Sequence, residues 1–509
     1  MTTALSHLPD DLDTLKALVR EQQAEIARLK EYLKLLLAKR YGPSSEQVPA
    51  EQLSLFNEAE QAAEISPAPE QPIQVPAHAR AKPGRRPLPE YLPRIKVVHA
   101  LPQAERVCRH DGKALVEIGR ETSEQLDVIP AQVRVIRHVR IKYACPCCHL
   151  GVTTAPMPAQ PIPKSIASPG LLAHVAVAKY QDGLPLYRQE AILKRSGIEL
   201  PRATLAGWMV RMGFLIQPLI NLMREHLLDY DILQMDETRV QVLKEAGKAP
   251  TALSYMWVAR GGPPEQPVVL FDYDPTRSAT VPQRLLAGYT GYLQTDGYEG
   301  YNAVARDPAI VQVGCAAHAR RKFEEATKAQ SKQAPKTGKA WQGLAYFQKL
   351  YRIERHLKDQ PPAVRYQGRQ TQAKPLLEEM RTWLDTSLPK APPQTATGRA
   401  LTYLHGQWEK LIRYLDDGRL PIDNNLVENA IRPFALGRKA WLFADTVNGA
   451  KASANLYSLI ETAKANGLEP YAYLRCVFTE LPKAETVDAI EALLPYNVDK
   501  ERLILARPP

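Results

Sequence analysis

The chain has little cysteine and no long apolar run. Of its 509 residues only six are cysteines, and four of these fall between positions 108 and 148. Such a cluster predicts a metal site in a reducing compartment rather than a disulfide framework. No stretch approaches the roughly 20 apolar residues of a membrane-spanning helix. The first residues also lack the apolar core of a signal peptide. We therefore expect a cytoplasmic protein with no membrane association.

Length and charge limit the organisation further. A chain of 509 residues exceeds what one hydrophobic core usually serves, so we expect three or more domains. The composition, 45% hydrophobic and 24% charged, is that of a folded protein. The net charge of +11 favours a polyanionic partner such as nucleic acid. A basic protein without such a partner is the alternative.

The N-terminal segment predicts a coiled coil over residues 8–42, followed by a Pro-rich linker over 43–98. The linker offers no core, so we favour self-association into a homodimer or larger oligomer. An amphipathic helix packed on its own domain is the alternative. The heptad positions are Leu12, Leu15, Val19, Gln22, Ile26, Leu29, Leu33 and Leu36.

Residues 99–155 predict a zinc-ribbon-like module. Cys145 and Cys148 have C-x-x-C spacing, and strands are predicted at 125–129 and 133–141. Cysteines that merely pack are the alternative. Within the second strand, Arg134, His138 and Arg140 fall on one face, which suits either phosphate contact or solvent. The predicted Zn²⁺ ligands are Cys108, Cys145 and Cys148, with His110, Asp111 or Cys147 as the fourth.

Residues 165–228 predict a helical region, with helices at 169–179, 186–196 and 201–212. The last two are joined by a short turn that contains glycine, as in a helix-turn-helix motif. Arg202 and Thr204 then lie near the start of the recognition helix, where they would contact DNA. A purely structural helical hairpin is the alternative.

Three acids predict a metal-dependent catalytic centre. Asp236 lies in a β-strand pattern over 232–242, and Asp296 ends a second apolar run. Glu428 lies in a predicted helix start, where Asp423 is an alternative third acid or a helix cap. Two strand aspartates and a helix glutamate can hold two Mg²⁺ (or Mn²⁺) ions for phosphoryl transfer. Asp236 is the expected bridging ligand.

The order of elements around these acids is that of the ribonuclease-H-like fold. Strands are predicted at 254–259 and 268–273, a helix at 278–288, a strand ending at Asp296, and a strand at 311–315. We thus expect a multidomain α+β protein whose ribonuclease-H-like α/β core carries an all-α insertion. The predicted parts are the first core segment 229–328, the insertion 329–405, the second core segment 406–466 and the C-terminal tail 467–509.

Basic side chains around the acids are predicted to contact DNA. His318 could orient phosphate or water, and its alternative is a helix-capping or packing role. Arg432 follows Glu428 by one helical turn, so it could clamp phosphate or pair with Glu428. The residues predicted to follow the DNA backbone are Arg320, Arg321, Lys322, Arg438 and Lys439.

These patterns together resemble the DDE transposases of the insertion-sequence-66 family, over nearly the whole chain. The matching strings lie at residues 39–46, 119–127, 235–238, 295–298, 317–323, 423–433 and 437–439. Asp111 departs from the family pattern, in which a cysteine is usual. The resemblance implies that Asp236, Asp296 and Glu428 are the metal-binding triad. It also implies a prokaryotic, nucleoid-associated protein, with small accessory transposition proteins as partners.

The sequence therefore predicts a DNA transposase. It would cleave at the terminal inverted repeats of its element with water and then join the freed 3′-hydroxyl to target DNA. One alternative is a DNA-binding regulator or assembly protein with an inactive core. A ribonuclease-H-like nuclease without strand transfer is the other.

Overall fold

The computed structural model describes residues 133–144, 152–328 and 337–505, with some positions between 11 and 29. The chain divides into two compact units, one of Pro67–Ala155 and one of Met1–Ser66 with Pro156–Pro509. The predicted linker 43–98 and the predicted zinc ligands Cys108, His110, Cys145 and Cys148 lie outside the described residues.

In the smaller unit, two short strands form an antiparallel pair, β1 (Lys142–Ala144) and β2 (Val152–Thr154). Residues 133–141 have no regular secondary structure, so the strand predicted there is wrong. An alternating pattern specifies a strand only where one face becomes buried, and Val135 is 94% exposed. The predicted shared face of Arg134, His138 and Arg140 is therefore absent, and Arg140 Nε donates to the carbonyl of Ala155 at 2.6 Å.

The predicted coiled coil is described at only a few positions. Those that are assigned a conformation between 13 and 29 are helical. Ile26 and Leu29, both at heptad core positions, are 51% and 52% exposed within the single chain. The remainder of 8–42 lies outside the described residues, and the coiled coil stays a prediction.

From residue 156 onward, the first elements of the larger unit are four helices, and the helices predicted at 169–179, 186–196 and 201–212 are confirmed. Ser168 caps the first, its hydroxyl accepting from the amide of Leu171 at 3.1 Å. Among the described residues, no single helix is long and apolar enough to cross a membrane. The helices Arg202–Leu215 and Gln217–Leu228, bent by 48° at their junction, would together have the required length and composition. The helices are α1 (Pro169–Tyr180), α2 (Leu186–Arg195), α3 (Arg202–Leu215) and α4 (Gln217–Leu228).

A mixed sheet follows, with strand order β5-β4-β3-β6-β7. Strand β4 runs antiparallel to both of its neighbours, β3 and β5, whereas β3, β6 and β7 run parallel to one another. The long strand β3 lies in the middle and carries Asp236. The strands are β3 (Ile232–Lys244), β4 (Leu253–Gly261), β5 (Val268–Asp274), β6 (Gly291–Gln294) and β7 (Ile310–Val313), and the helix α5 (Thr280–Leu285) and a 3₁₀ segment (Glu299–Arg306) lie among them.

The described part of the predicted insertion is helical. Its apolar side chains form a second hydrophobic core with β7 and α6, which includes Val313, Phe323, Phe347 and Leu404. The helices are α6 (Ala316–Lys328), α7 (Lys339–Leu357), α8 (Pro362–Gly368), α9 (Lys374–Ser387) and α10 (Ala396–Ile412), with a π-helical turn at Arg369–Ala373 and 3₁₀ turns at Leu388–Lys390 and Arg413–Leu415.

The C-terminal helices cover the sheet. Strand β8 pairs in parallel with the end of β3. On α12, the hydroxyls of Ser458 and Thr462 accept from the amides of Phe271 and Val269, at 2.7 and 3.0 Å. These bonds satisfy backbone donors on the outer side of the edge strand β5. The elements are α11 (Asn425–Trp441), β8 (Ala444–Thr446), α12 (Val447–Ala465), α13 (Pro470–Glu480), a 3₁₀ turn (Leu481–Lys483), α14 (Val487–Glu491) and α15 (Lys500–Leu505).

Candidate active site

The two predicted aspartates come from neighbouring parallel strands. In the register of β3 and β6, Gln234 stands opposite Gln294, and each aspartate follows its glutamine by two residues. Because β6 ends at Gln294, Asp296 lies in the loop after the strand, not at its last position as predicted. Its carboxylate accepts from the amide of Tyr298 at 2.9 Å.

The backbone around Asp296 is fixed from the side of the insertion. Tyr403 on α10 donates its hydroxyl to the carbonyl of Asp296 at 2.7 Å. Gly297 follows with φ of +95°, and a Cβ there would lie 2.8 Å from the Tyr403 hydroxyl. Both the conformation and the space therefore require glycine after Asp296.

Glu428 lies in the first turn of α11, and its side chain is buried. Two glutamines of the sheet hold the segment that leads into this helix. Gln234 donates to the carbonyl of Asp423 at 3.1 Å and accepts from the amide of Val427 at 3.1 Å. Gln294 donates to the carbonyl of Pro421 at 2.9 Å. The strands of the aspartates are thus bonded directly to the glutamate helix.

The charges of these acids affect one another. Burial raises the pKa of Asp236 well above its ordinary value, and the charges of Glu237, Glu428 and Asp296 raise it further. Burial also raises the pKa of Glu428 to about 7, against the opposing charge of Arg321 and with contributions from Asp423 and Asp296. Carboxylates so placed are not all ionised together unless a cation neutralises them.

The neighbouring acids have other partners. Glu237 accepts from Tyr301 at 2.7 Å and forms an ion pair with Arg277, although its charge still acts on Asp236. Asp423 accepts from the Tyr351 hydroxyl at 2.8 Å and from the amide of Asn425 at 3.2 Å. The contact with Asn425 satisfies the first amide of α11, whose N-cap residue is Asn424 and not Asp423.

Helix α6 brings basic groups to Glu428. The Nδ1 atom of His318 lies 3.5 Å from Glu428 Oε1, and Arg321 Nη2 lies 3.8 Å from Glu428 Oε2. Burial, together with the charges of Arg321 and Lys322, lowers the pKa of His318 to about 4. The imidazole is therefore neutral near pH 7. Lys322 is exposed.

Arg320 is buried. It was predicted to follow the DNA backbone, but it is only 5% exposed. It lies on the same stripe of α6 as the buried Ala316, Ala319 and Phe323, which faces the second hydrophobic core. Its guanidinium lies 3.6 Å from Glu324 instead of facing solvent.

The other predicted DNA contacts lie at different places. Arg432 is half-buried on α11, and Lys439 is exposed near the end of that helix. Arg438 donates to the hydroxyl of Thr238 at 3.2 Å and to the carbonyl of Arg239, so it is tied to β3. Arg202, which is exposed, and Thr204, which is half-buried, lie at the start of α3 and are not brought to the acids.

The donor set can be tested against a divalent metal. The Oε1 atom of Glu428 is buried and has no hydrogen-bond partner. An acceptor left in this state costs about 1–3 kcal/mol unless something satisfies it. Three carboxylates offer the hard oxygen ligands that Mg²⁺ prefers, so these residues fit that ion.

Sequence patterns had not drawn attention to Gln234 and Gln294, which position the site. A signal was present, since a glutamine precedes each aspartate by two residues within an apolar strand. The contact of Tyr301 with Glu237 had no such signal, because 64 positions separate the two residues.

Known proteins resemble the chain along almost its full length. A family model described as "Transposase IS66 family" matches residues 164–452, and one described as "IS66 C-terminal element" matches 458–496. A "zinc-finger binding domain of transposase IS66" matches 105–149 and supports Zn²⁺ binding there. A model described as "Transposase C of IS166 homeodomain" matches 28–97.

Similar proteins occur in Sinorhizobium fredii. The uncharacterized protein y4jD is 32% identical over 523 aligned residues, which cover 98% of each chain. The uncharacterized protein y4qI is 34% identical over 548 aligned residues, with 98% of this chain and 99% of the relative covered. The transposase model spans more than half of the chain, and these relatives match over their whole length. The chain therefore belongs to the IS66 family of transposases.

Proposed function

We propose that this protein cleaves DNA at the ends of an insertion sequence and joins the freed 3′-hydroxyl to target DNA. Asp236, Asp296 and Glu428 are the ligands of two Mg²⁺ ions in a ribonuclease-H-like core. Family membership supports a transposase role. The specific reaction and its residues are our proposal.

One observation supports it: the charges of the three acids act on one another. The charges of Glu428 and Asp296 both raise the pKa of Asp236, and that of Asp296 also raises the pKa of Glu428. Such an arrangement destabilises the protein unless a cation is bound. Bound divalent ions would activate the attacking hydroxyl and stabilise the leaving oxygen.

The chain's own residues hold this chemistry in place. Asp236 is the central ligand, because β3 pairs with the strand that leads to Asp296 and is bonded through Gln234 to the helix that carries Glu428. Neutral His318 can donate or accept a hydrogen bond at a substrate oxygen. Partly exposed Arg321 and exposed Lys322 on the same helix contact the flanking phosphates.

Other parts of the chain bring DNA ends together. The start of α3, with exposed Arg202 and half-buried Thr204, reads the terminal repeats. Cys108, His110, Cys145 and Cys148 hold Zn²⁺ in the module that precedes it. A dimer formed through the N-terminal heptads supplies the two copies that paired ends require.

The test is cleavage of a labelled duplex that carries the element's terminal repeats, with Mg²⁺ and with EDTA. We expect the wild-type protein to cut at the 3′ ends and to join them to a second duplex. Asp236→Asn removes a ligand and should abolish both steps while binding is retained. Asp385→Asn, at an exposed position on α9, is the matched control and should behave as wild type.

Three other outcomes would contradict the proposed function or favour another one. Equal cleavage of any DNA would contradict a function at element ends. Cleavage without joining would favour a nuclease without strand transfer. End binding without cleavage, even with the accessory proteins supplied, would favour the regulator.

A further inference from the structure

Three donor atoms of different kinds converge where β7 leads into α6. The thiol of Cys315, an imidazole nitrogen of His318 and a carboxylate oxygen of Glu428 lie within 4.8 Å of one another. Cys315 is 2% exposed, and the side chain of Glu428 is 4% exposed. No sequence pattern indicates a role for Cys315.

Two of these donors lack a hydrogen-bond partner. Both His318 Nδ1 and Glu428 Oε1 are buried and unsatisfied. They face each other at 3.5 Å, which is beyond the about 2.7–3.2 Å of an N–H···O hydrogen bond. Leaving two buried polar atoms unsatisfied is costly, and one cation between them would satisfy both.

The spacing suits a metal with short bonds. Two ligands of a tetrahedral ion at about 2.0–2.1 Å are separated by roughly 3.4 Å. The observed 3.5 Å between His318 Nδ1 and Glu428 Oε1 is close to this value.

The chemical types of the three donor atoms determine which class of metal they prefer. Sulfur and imidazole nitrogen select borderline transition metals, such as Zn²⁺ and Co²⁺, whereas Mg²⁺ prefers oxygen alone. We propose that Cys315, His318 and Glu428 form a transition-metal site, separate in chemistry from the all-carboxylate cluster but sharing Glu428 with it. On binding, the metal–sulfur bond replaces the thiol S–H bond and the proton passes to solvent.

The shared ligand couples the two sites. A transition metal held by Cys315 and His318 competes for the carboxylate that the proposed Mg²⁺ centre needs. Only this coupling rests on the proposed function. The metal site itself rests on the contacts of the three side chains and needs neither DNA nor catalysis.

The test is binding of Co²⁺ to the full-length protein, followed by absorption of the cobalt–thiolate bands and by metal analysis. The cysteines predicted to hold zinc would also give such bands, so the difference between variants carries the result. Cys476→Ser is the matched control, because Cys476 is a buried cysteine on another helix, α13.

We expect Cys315→Ser to bind one equivalent of Co²⁺ less than wild type and to lose part of the thiolate absorption. His318→Asn should lose the same equivalent, and Cys476→Ser should lose nothing. Equal stoichiometry in wild type, Cys315→Ser and His318→Asn would overturn the proposal. If circular dichroism shows that Cys315→Ser is unfolded, His318→Asn decides alone.

Discussion

Gln234 and Gln294 stand opposite each other on β3 and β6, and the amide of Gln234 donates to the side-chain oxygen of Gln294 at 2.6 Å. Both side chains are buried, at 4% and 0% exposed. Each also donates to the segment before Glu428, and Gln294 donates in addition to the carbonyl of Gly314. The pair therefore sets the position of all three acids relative to one another.

Replacing Gln294 by leucine should cost about 1–3 kcal/mol of unfolding free energy for each buried group left without a partner. The carbonyls of Pro421 and Gly314 would both lose their donor. Denaturant unfolding measures this loss. Gln283→Leu, at an exposed position, is the control and should change stability little. Equal stability of the two variants would contradict the role of the glutamine pair.

Divalent metal should stabilise the protein through the acid cluster. A ligand at 100 times its dissociation constant adds about 2.7 kcal/mol, so the melting temperature should rise with Mg²⁺. Asp236→Asn should melt higher than wild type in EDTA, since one of the repelling charges is removed, and should gain less from Mg²⁺. Asp385→Asn should follow wild type in both conditions. A wild-type melting temperature that does not change with Mg²⁺ would contradict the proposed metal centre.

Arg369 should be among the most sensitive positions of the helical insertion. It is fully buried, forms a bidentate pair with Glu354, and donates to the carbonyls of Tyr414, Asp417 and Leu420. Arg369→Met leaves Glu354, whose side chain is 11% exposed, with only the 3.7 Å contact to Arg365, and it removes the donor of three carbonyls. It should cost about 3–5 kcal/mol.

The control for Arg369 is Arg381, whose partner Asp385 is 49% exposed. Arg381→Met should cost less than about 1 kcal/mol by loss of this surface pair. Arg369→Lys should also be destabilised, because the ammonium group of lysine has three donors and cannot form the planar bidentate pair that the guanidinium group forms. Rescue by lysine would contradict the argument from the guanidinium geometry.

Lys179 should make stability depend on pH in the alkaline range. Burial lowers its pKa from 10.5 to about 8, where it lies 4.9 Å from the centre of the Tyr180 ring. Between these values the unfolded chain binds more protons than the folded one, so stability rises with pH. The destabilisation is fully present below pH 8 and is lost as the pH approaches 10.5.

Lys179→Met should therefore raise stability at pH 7 and flatten its rise between pH 8 and pH 10.5. Thermal melts over this pH range measure both effects. Lys194→Met, at an exposed position of α2, keeps the slope of wild type. An unchanged slope in Lys179→Met would contradict the burial of its ammonium group.

The heptad helix should control the oligomeric state. Leu29→Asp puts a charge at a predicted core position and should convert a dimer to a monomer, as measured by light scattering. Ala24→Asp puts the same charge outside the predicted seam and should leave the dimer intact. If the wild-type protein is a monomer in light scattering, the proposed dimer is contradicted.

Much of the larger unit could be predicted from sequence, because its signals are local. Apolar runs at 254–259 and 268–273 lie inside β4 and β5, since period-two and apolar patterns reflect the faces that a sheet buries. The helices of 169–212 were marked by proline, glycine and spacing. At 133–141 the alternating pattern has no buried face, and the prediction of a strand was wrong.

The site was predicted in part. The sequence indicated Asp236, Asp296 and Glu428 as candidates, and the charges of these side chains do influence one another. Arg320 shows the limit, because its neighbours Arg321 and Lys322 are equally basic in sequence. Only the direction in which α6 packs decides that Arg320 is buried.

By itself, the sequence determined the local structure, the basic charge and the three acidic positions, since these depend on neighbours in the chain and on residue type. Tertiary structure alone decided which distant groups meet. It placed Gln234 against Asp423, 189 positions away, and His318 against Glu428. Such contacts arise because strand register and helix packing bring together side chains that no local pattern relates.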